Sequence, residues 1–120
     1  MGVSYRVDRE RGVLLASAEG PIHLPEARAH LLEKQKEKLL SYPELVDARK
    51  AHLELSPADV RQIVSILQTL SRESPLGKTA VVVSTDLAYG MMRMLSILVE
   101  DYCSVSPFRN LDEANNWLGL

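Results

Sequence analysis

A short uninterrupted apolar segment at residues 79–83 constrains the fold more than any other part of the sequence. It reads Thr-Ala-Val-Val-Val, a polar loop precedes it, and a Ser-Thr-Asp sequence that suits a helix start follows it. A run this short and this rich in β-branched residues is typical of a strand buried on both faces of a parallel sheet. Because parallel strands are joined by crossover connections, we expect helices on both sides of this segment in the chain.

The surrounding sequence predicts those helices and further strands. Residues 5–8 and 13–19 flank a charged, glycine-containing turn, which is typical of a β-hairpin. We expect Gly20 and Pro21 to end its second strand, because proline cannot donate to the ladder. Helical and strand spacing then alternate over 25–41, 45–55, 57–71, 79–83, 87–102, 104–108 and 110–119. The predicted fold is α/β, with an N-terminal β-hairpin and a mostly parallel sheet flanked by helices.

Composition restricts the classes of function. The 120 residues suffice for one hydrophobic core, so we expect a single domain over residues 1–120. A formal net charge of −2 gives no field that favours nucleic acid. The sequence has no apolar run suited to a signal peptide or a membrane span, so we expect no integral membrane association. Cys103 is the one cysteine, which rules out an intrachain disulfide and favours a cytoplasmic location.

Several local sequences make the chain resemble the SpoIIAA-like bacterial family, which is related to STAS and CRAL-TRIO domains. Residues 86–94 read Asp-Leu-Ala-Tyr-Gly-Met-Met-Arg-Met, and residues 108–114 read Phe-Arg-Asn-Leu-Asp-Glu-Ala. Shorter stretches within 5–14, 45–49 and 55–60 also resemble this family. The resemblance spans nearly the whole chain and implies a STAS-type fold, in which a four-stranded, mostly parallel core sheet is extended by the hairpin. It implies no settled activity.

The resemblance also draws attention to Ser56. Anti-sigma-factor antagonists, the better-understood relatives, carry a phosphorylatable serine in an Asp-Ser-Ser-Gly-like motif at a helix N-terminus. Here Leu55 precedes the serine and Pro57 follows it, so the aspartate, the second serine and the glycine of that motif are missing. We interpret Ser56 as a helix cap, which contributes about 1 kcal/mol, with a phosphorylation switch as the alternative.

Residues with catalytic or metal-binding chemistry are scattered. The three histidines, His23, His30 and His52, lack ligand spacing with one another or with Cys103. Cys103 follows an apolar helix, where burial as a small hydrophobe is the ordinary explanation. The sequence offers no nucleophile with an identifiable base. We therefore predict no catalytic residue, no metal site and no cofactor.

The first helix is predicted to turn a mixed-charge face to solvent. Its acids and bases are interleaved, which favours a solvated face over a basic binding patch. The residues assigned to this polar side are Glu26, His30, Glu33 and Glu37, with Lys34 and Lys38 near them.

The carboxyl-end edge of the sheet is the predicted location of any ligand site. Ligands of parallel α/β sheets bind there, because helix N-termini point free N–H groups outward. An anionic small molecule or a phosphate would suit such a site. The alternative is that these residues serve as caps and surface ion pairs. The candidate residues are Arg49, Ser56, Ser84, Thr85, Asp86, Tyr89 and Arg93, with Asn110 nearby.

The helix predicted at 87–102 has an unusually wide apolar arc. At about 100° per residue the arc spans roughly 160°, more than the roughly 100° that a surface helix needs to cover its own sheet. Several methionines lie in it and give a deformable apolar surface. We therefore predict a two-fold homodimer, with burial of the helix inside the chain as the alternative. The predicted interface residues are Met91, Met92, Met94, Leu95 and Val99.

These observations favour a non-enzymatic, STAS-like interaction or regulatory domain that works through a homodimer or a protein partner. The alternative is a domain that binds a small ligand or a lipid. Against a lipid, about 120 residues leave little volume for a closed pocket of several hundred Å³ once the core is packed.

Overall fold

The computed structural model describes residues 2–120 and has a five-stranded sheet in the order β1-β2-β3-β4-β5. The first two strands pair antiparallel, and the remaining pairs are parallel. The predicted α/β fold is therefore confirmed, including the hairpin and the four-stranded parallel sheet that it extends. The elements are β1 (Gly2–Asp8), β2 (Val13–Ile22), α1 (Leu24–Lys36), β3 (Glu44–Leu53), α2 (Pro57–Ser71), β4 (Thr79–Val82), α3 (Asp86–Leu98), β5 (Val105–Phe108) and α4 (Leu111–Leu118).

Strand β4 is buried on both faces, as its uninterrupted apolar sequence predicts. Ala80 and Val82 pack on the side of the sheet covered by α4. Val81 packs on the side covered by α1, α2 and α3, as does Val83 directly after the strand. The sheet therefore separates two hydrophobic cores. We call them the α4 face and the three-helix face.

The second strand is longer than predicted. It continues through Gly20 and Pro21 to Ile22, because its pairing with β3 extends to Ile22 while its pairing with β1 stops at Glu19. Among residues 2–120, the part of the strand beyond Glu19 has a neighbour on one side only, and proline is tolerated at such an edge. Gly20 has φ of 71°, in the left-handed region that favours glycine.

Two helices are shorter than predicted. Helix α1 ends at Lys36, and Lys38 with φ of 59° turns the chain so that Leu39 and Leu40 become buried. Helix α3 ends at Leu98 rather than near residue 102. Within residues 2–120, no helix is long and apolar enough to cross a membrane.

The predicted helix caps are confirmed. Ser56 Oγ accepts a hydrogen bond from Asp59 N, and the Asp59 carboxylate accepts one from Ser56 N in return. The Thr85 hydroxyl caps α3, and the Asn110 side chain caps α4. Such caps satisfy N–H groups that have no partner inside a helix.

Candidate functional site

A buried charged cluster lies where α1 packs over the start of β3. His30 and Lys34 are four residues apart and therefore share one face of α1. Both contact Glu44, the first residue of β3. The Lys34 Nζ to Glu44 Oε1 distance is 2.8 Å, and the His30 Nε2 to Glu44 Oε2 distance is 2.6 Å. Only 6% of the Lys34 side chain and 2% of the Glu44 side chain is exposed. Each carboxylate oxygen thus has a nitrogen partner.

The Glu44 carboxyl is ionised near neutral pH. Burial by itself raises its pKa, but the hydrogen bond with His30 and the charge of Lys34 outweigh burial and hold the pKa below its ordinary value. An ionised carboxylate only accepts hydrogen bonds, so His30 Nε2 carries a proton and donates it. The Tyr5 ring lies edge-on to the imidazole, with the ring centroids 5.6 Å apart.

This cluster corrects the prediction that the first helix turns His30 and Lys34 toward solvent. Glu33 and Glu37 are exposed as expected, but His30 and Lys34 point inward. The i,i+4 spacing of His30 and Lys34 was the one signal in the sequence. The sequence gives no indication that Glu44 would be buried opposite them.

An apolar cavity of about 160 Å³ adjoins the cluster on the three-helix face. Its floor includes Ala18, Ala48 and Val81 from the sheet, and its roof includes residues of the three helices such as Ile63 and Met92. His30, Lys34 and Glu44 also line it. The cavity is therefore apolar over most of its wall and polar where the charged cluster lies.

Cys103 also lines this cavity and is half-buried. Burial raises the pKa of its thiol, although the charge of Lys34 opposes the effect. The thiol is therefore protonated near neutral pH, and since the thiolate is the reactive form, Cys103 is not set up as a nucleophile.

Most of the residues predicted to bind a ligand at the carboxyl-end edge have partners within the chain. Arg49 and Asp47 form a two-point ion pair on β3, with an Nη2 to Oδ2 distance of 2.7 Å. The Ser84 hydroxyl donates to the Arg49 carbonyl at 2.8 Å. The cap bonds described above engage Ser56 and Thr85.

A second group at this edge joins the start of α3 to the end of β5. Arg109 pairs with Asp86 at 2.7 Å, and its guanidinium lies 4.5 Å from the centre of the Tyr89 ring. The structure thus brings the predicted residues Asp86 and Tyr89 together through Arg109, which sequence reasoning did not select. Arg93 is exposed on α3 and takes no part in either group.

The apolar arc of α3 is divided between the core and the surface. Met92, Leu95 and Val99 are buried inside the chain, which corrects their assignment to an interface. Met91 is half-buried and Met94 is exposed. The other exposed apolar residues of α3 are Leu87, Ile97 and Leu98, with 76%, 58% and 45% of their surfaces accessible.

Comparison with known structures gives the class of fold. The chain has a SpoIIAA-like fold, as the sequence resemblance implied. One similar structure is that of an uncharacterized protein of the DUF3478 family from Shewanella loihica PV-4, which has a SpoIIAA-like fold. The likeness covers 98% of this chain and 94% of that one, with a TM-score of 0.64 and 15% sequence identity. At that identity the likeness shows the fold alone. No protein-family model and no curated protein matches the chain.

Proposed function

We propose that this chain is a non-enzymatic interaction domain that works as a homodimer. The observation that carries the proposal is the exposed apolar face of α3, which we call the α3 face. It consists of Leu87, Met94, Ile97 and Leu98. Large apolar side chains grouped on one helix are a common feature of protein interfaces.

Gly90 supports a close contact at this face. Outside the adjacent residues and backbone of its own helix, a Cβ built at Gly90 would meet no described atom within 4 Å, and its φ is not positive, so packing inside the fold does not require glycine. Glycine within a helix costs about 1 kcal/mol relative to alanine. The close approach of another backbone would account for that cost.

A second copy of the chain is the proposed partner, because most small oligomers are two-fold and self-complementary. Helix α3 has 13 residues and is therefore about 20 Å long. A contact limited to one such helix falls at the small end of stable interfaces. We therefore expect a dimer that forms at micromolar concentration.

Sedimentation velocity at micromolar concentration tests this proposal with two matched substitutions. Leu98 and Leu32 are equally exposed, at 45%, but only Leu98 belongs to the α3 face. Leu98→Glu should give a monomer, since two like charges would meet in the interface, whereas Leu32→Glu should leave the dimer intact. A monomeric wild-type protein, or an equal effect of the two substitutions, would contradict the proposal.

The proposal also covers the cellular location of the protein and its domain organisation. We place the protein in the bacterial cytoplasm as a single domain, on the support of its SpoIIAA-like fold and its single cysteine. Small-ligand binding at the carboxyl-end edge stays a prediction. The ion pairs there favour the alternative, in which Arg49, Asp86 and Tyr89 are held by residues of the chain itself.

A further inference from the structure

We propose that the cavity on the three-helix face binds a small uncharged ring that carries one hydroxyl group, a molecule of the size of phenol. This binding site is separate from the α3 face and from the carboxyl-end edge. The inference depends on the volume of the cavity, on the charge balance of its wall and on the hydrogen-bonding capacity of Lys34.

The volume sets the size of the ligand. Pockets for drug-sized molecules measure roughly 300–1,000 Å³, whereas a cavity of roughly 150 Å³ is enough for benzene. The cavity here measures about 160 Å³. It therefore suits a single six-membered ring with one substituent and is too small for a lipid chain.

The charges of the wall set the charge of the ligand. Lys34 and Glu44 are the oppositely charged residues of the lining, and their formal charges cancel. An ion placed in such a site would lose its hydration without gaining a counter-charge. The ligand is therefore uncharged.

Lys34 determines the polar group of the ligand. An ammonium group has three N–H donors, and within residues 2–120 the hydrogen bond that Lys34 Nζ makes goes to Glu44. Lys34 itself lines the cavity, and most of the other lining residues are apolar, so they offer its remaining donors few acceptors. A hydroxyl oxygen can accept from Lys34 Nζ, and its proton can be donated to the Glu44 carboxylate, which has lone pairs to spare.

The fold sets the direction in which the ligand lies. Glu44 and Thr79 begin β3 and β4, so the polar end of the cavity lies at the amino ends of these parallel strands. Ile22 and Leu53, which end β2 and β3, line the opposite end. The hydroxyl group is directed toward the amino ends of the strands and the ring toward the carboxyl ends.

Methyl NMR of the full chain labelled at methionine tests binding. Met92 lines the cavity, and Met94 is exposed on the same helix and serves as an internal control. The probes are phenol and toluene, which have the same shape and differ in the hydroxyl group. Phenol should shift the Met92 signal to saturation, leave Met94 unchanged and bind severalfold more tightly than toluene. In a wholly apolar cavity toluene binds more tightly, because burying an unpaired hydroxyl is unfavourable.

Two substitutions on α1 separate binding in the cavity from binding elsewhere. Ala27 lines the cavity, whereas Ala29 is exposed on the same helix. Ala27→Leu should fill the space and abolish the Met92 response, and Ala29→Leu should preserve it. Lys34→Met removes the donor and should reduce the preference for phenol over toluene, while the acceptor Glu44 stays in place.

Four results would overturn the proposal. They are no saturable Met92 shift with phenol, tighter binding of toluene by the wild-type protein, tighter binding of benzoate than of phenol, and an unchanged response in Ala27→Leu. The wild-type order of phenol and toluene decides the outcome if Lys34→Met does not fold.

Discussion

The two faces of the sheet are packed in different ways, although the same strands form both. On the α4 face, Ala80, Val82 and Ala114 are fully buried or nearly so, and the Phe108 and Trp117 rings lie 5.5 Å apart. On the three-helix face, a cavity of about 160 Å³ and a charged cluster lie between the sheet and its helices.

The difference comes from how small residues are used. Ala80 on β4 and Ala114 on α4 let one helix approach the sheet closely. Ala18 and Ala48 are equally small, but they lie under the cavity rather than under a closely packed helix. Small residues thus allow close packing on the α4 face, whereas on the three-helix face they leave a cavity. We expect the α4 face to serve stability and the three-helix face to tolerate change.

Breaking the charged cluster should have the largest effect on stability. Glu44→Leu leaves the buried Lys34 without its carboxylate, and the loss of a buried partner costs about 3–5 kcal/mol. Urea denaturation should show a decrease in the free energy of unfolding of that size. Asp86→Ala breaks the exposed pair with Arg109 and should cost at most about 1 kcal/mol. Equal decreases in the free energy of unfolding for the two variants would mean that the buried pair stabilises the fold no more than the exposed pair.

Adding volume to the α4 face should be the next largest effect. Ala114 is fully buried, so Ala114→Leu forces extra carbon atoms into packed space and should lower the free energy of unfolding by about 1–3 kcal/mol. Thermal denaturation followed by circular dichroism measures it. Asn116→Leu places the same side chain on the exposed side of α4 and is the control. If Ala114→Leu left the free energy of unfolding unchanged, the two faces would be equally loosely packed.

Adding volume to the three-helix face should have the opposite sign. Ala27→Leu extends into the cavity and should raise the free energy of unfolding by about 0.5–2 kcal/mol, as cavity filling commonly does. The exposed control, Ala29→Leu, should stay within about 0.5 kcal/mol of the wild type. If Ala27→Leu destabilised the chain and Ala29→Leu did not, added volume would have the same sign on both faces, which would contradict this prediction.

The smallest expected effect is a dependence of stability on pH. The pKa of Glu44 is lowered from 4.5 in the folded chain, so its stabilising contribution is present above pH 4.5 and is lost as the pH falls through the folded pKa. The pKa of Asp47 is also lowered, through its hydrogen bond with Arg49, and acts in the same direction. Glu44→Gln removes the contribution of Glu44 and leaves that of Asp47. The free energy of unfolding of this variant should therefore fall less steeply with acidification than that of the wild type. Parallel curves would contradict the assignment of an ionised Glu44.

Much of the fold was predictable because local signals agreed with it. The segment at 79–83 contains strand β4, which is buried on both faces, and Ser56, Thr85 and Asn110 cap helices as their side chains suggest. The width of the apolar arc on α3 was also informative, since the helix buries part of it and exposes the rest.

The candidate sites were less predictable, because they depend on packing between distant segments. Periodicity shows that α3 has too many apolar residues to cover one surface. It does not show that Val99 faces the core while Leu87 faces outward. Likewise, the residues between 26 and 38 have the composition of a solvated helix. The burial of His30 and Lys34 follows only from their meeting Glu44 across the chain.

The short last strand has a consequence for how copies of this chain can meet. Strand β5 lies at one edge of the sheet, spans four residues and contains Pro107, which has no N–H group to offer to a further strand. Growth of the sheet from that edge into a fibril or a continuous two-chain sheet is therefore discouraged. At this edge, copies of the chain therefore contact one another through side chains rather than through backbone hydrogen bonds between strands.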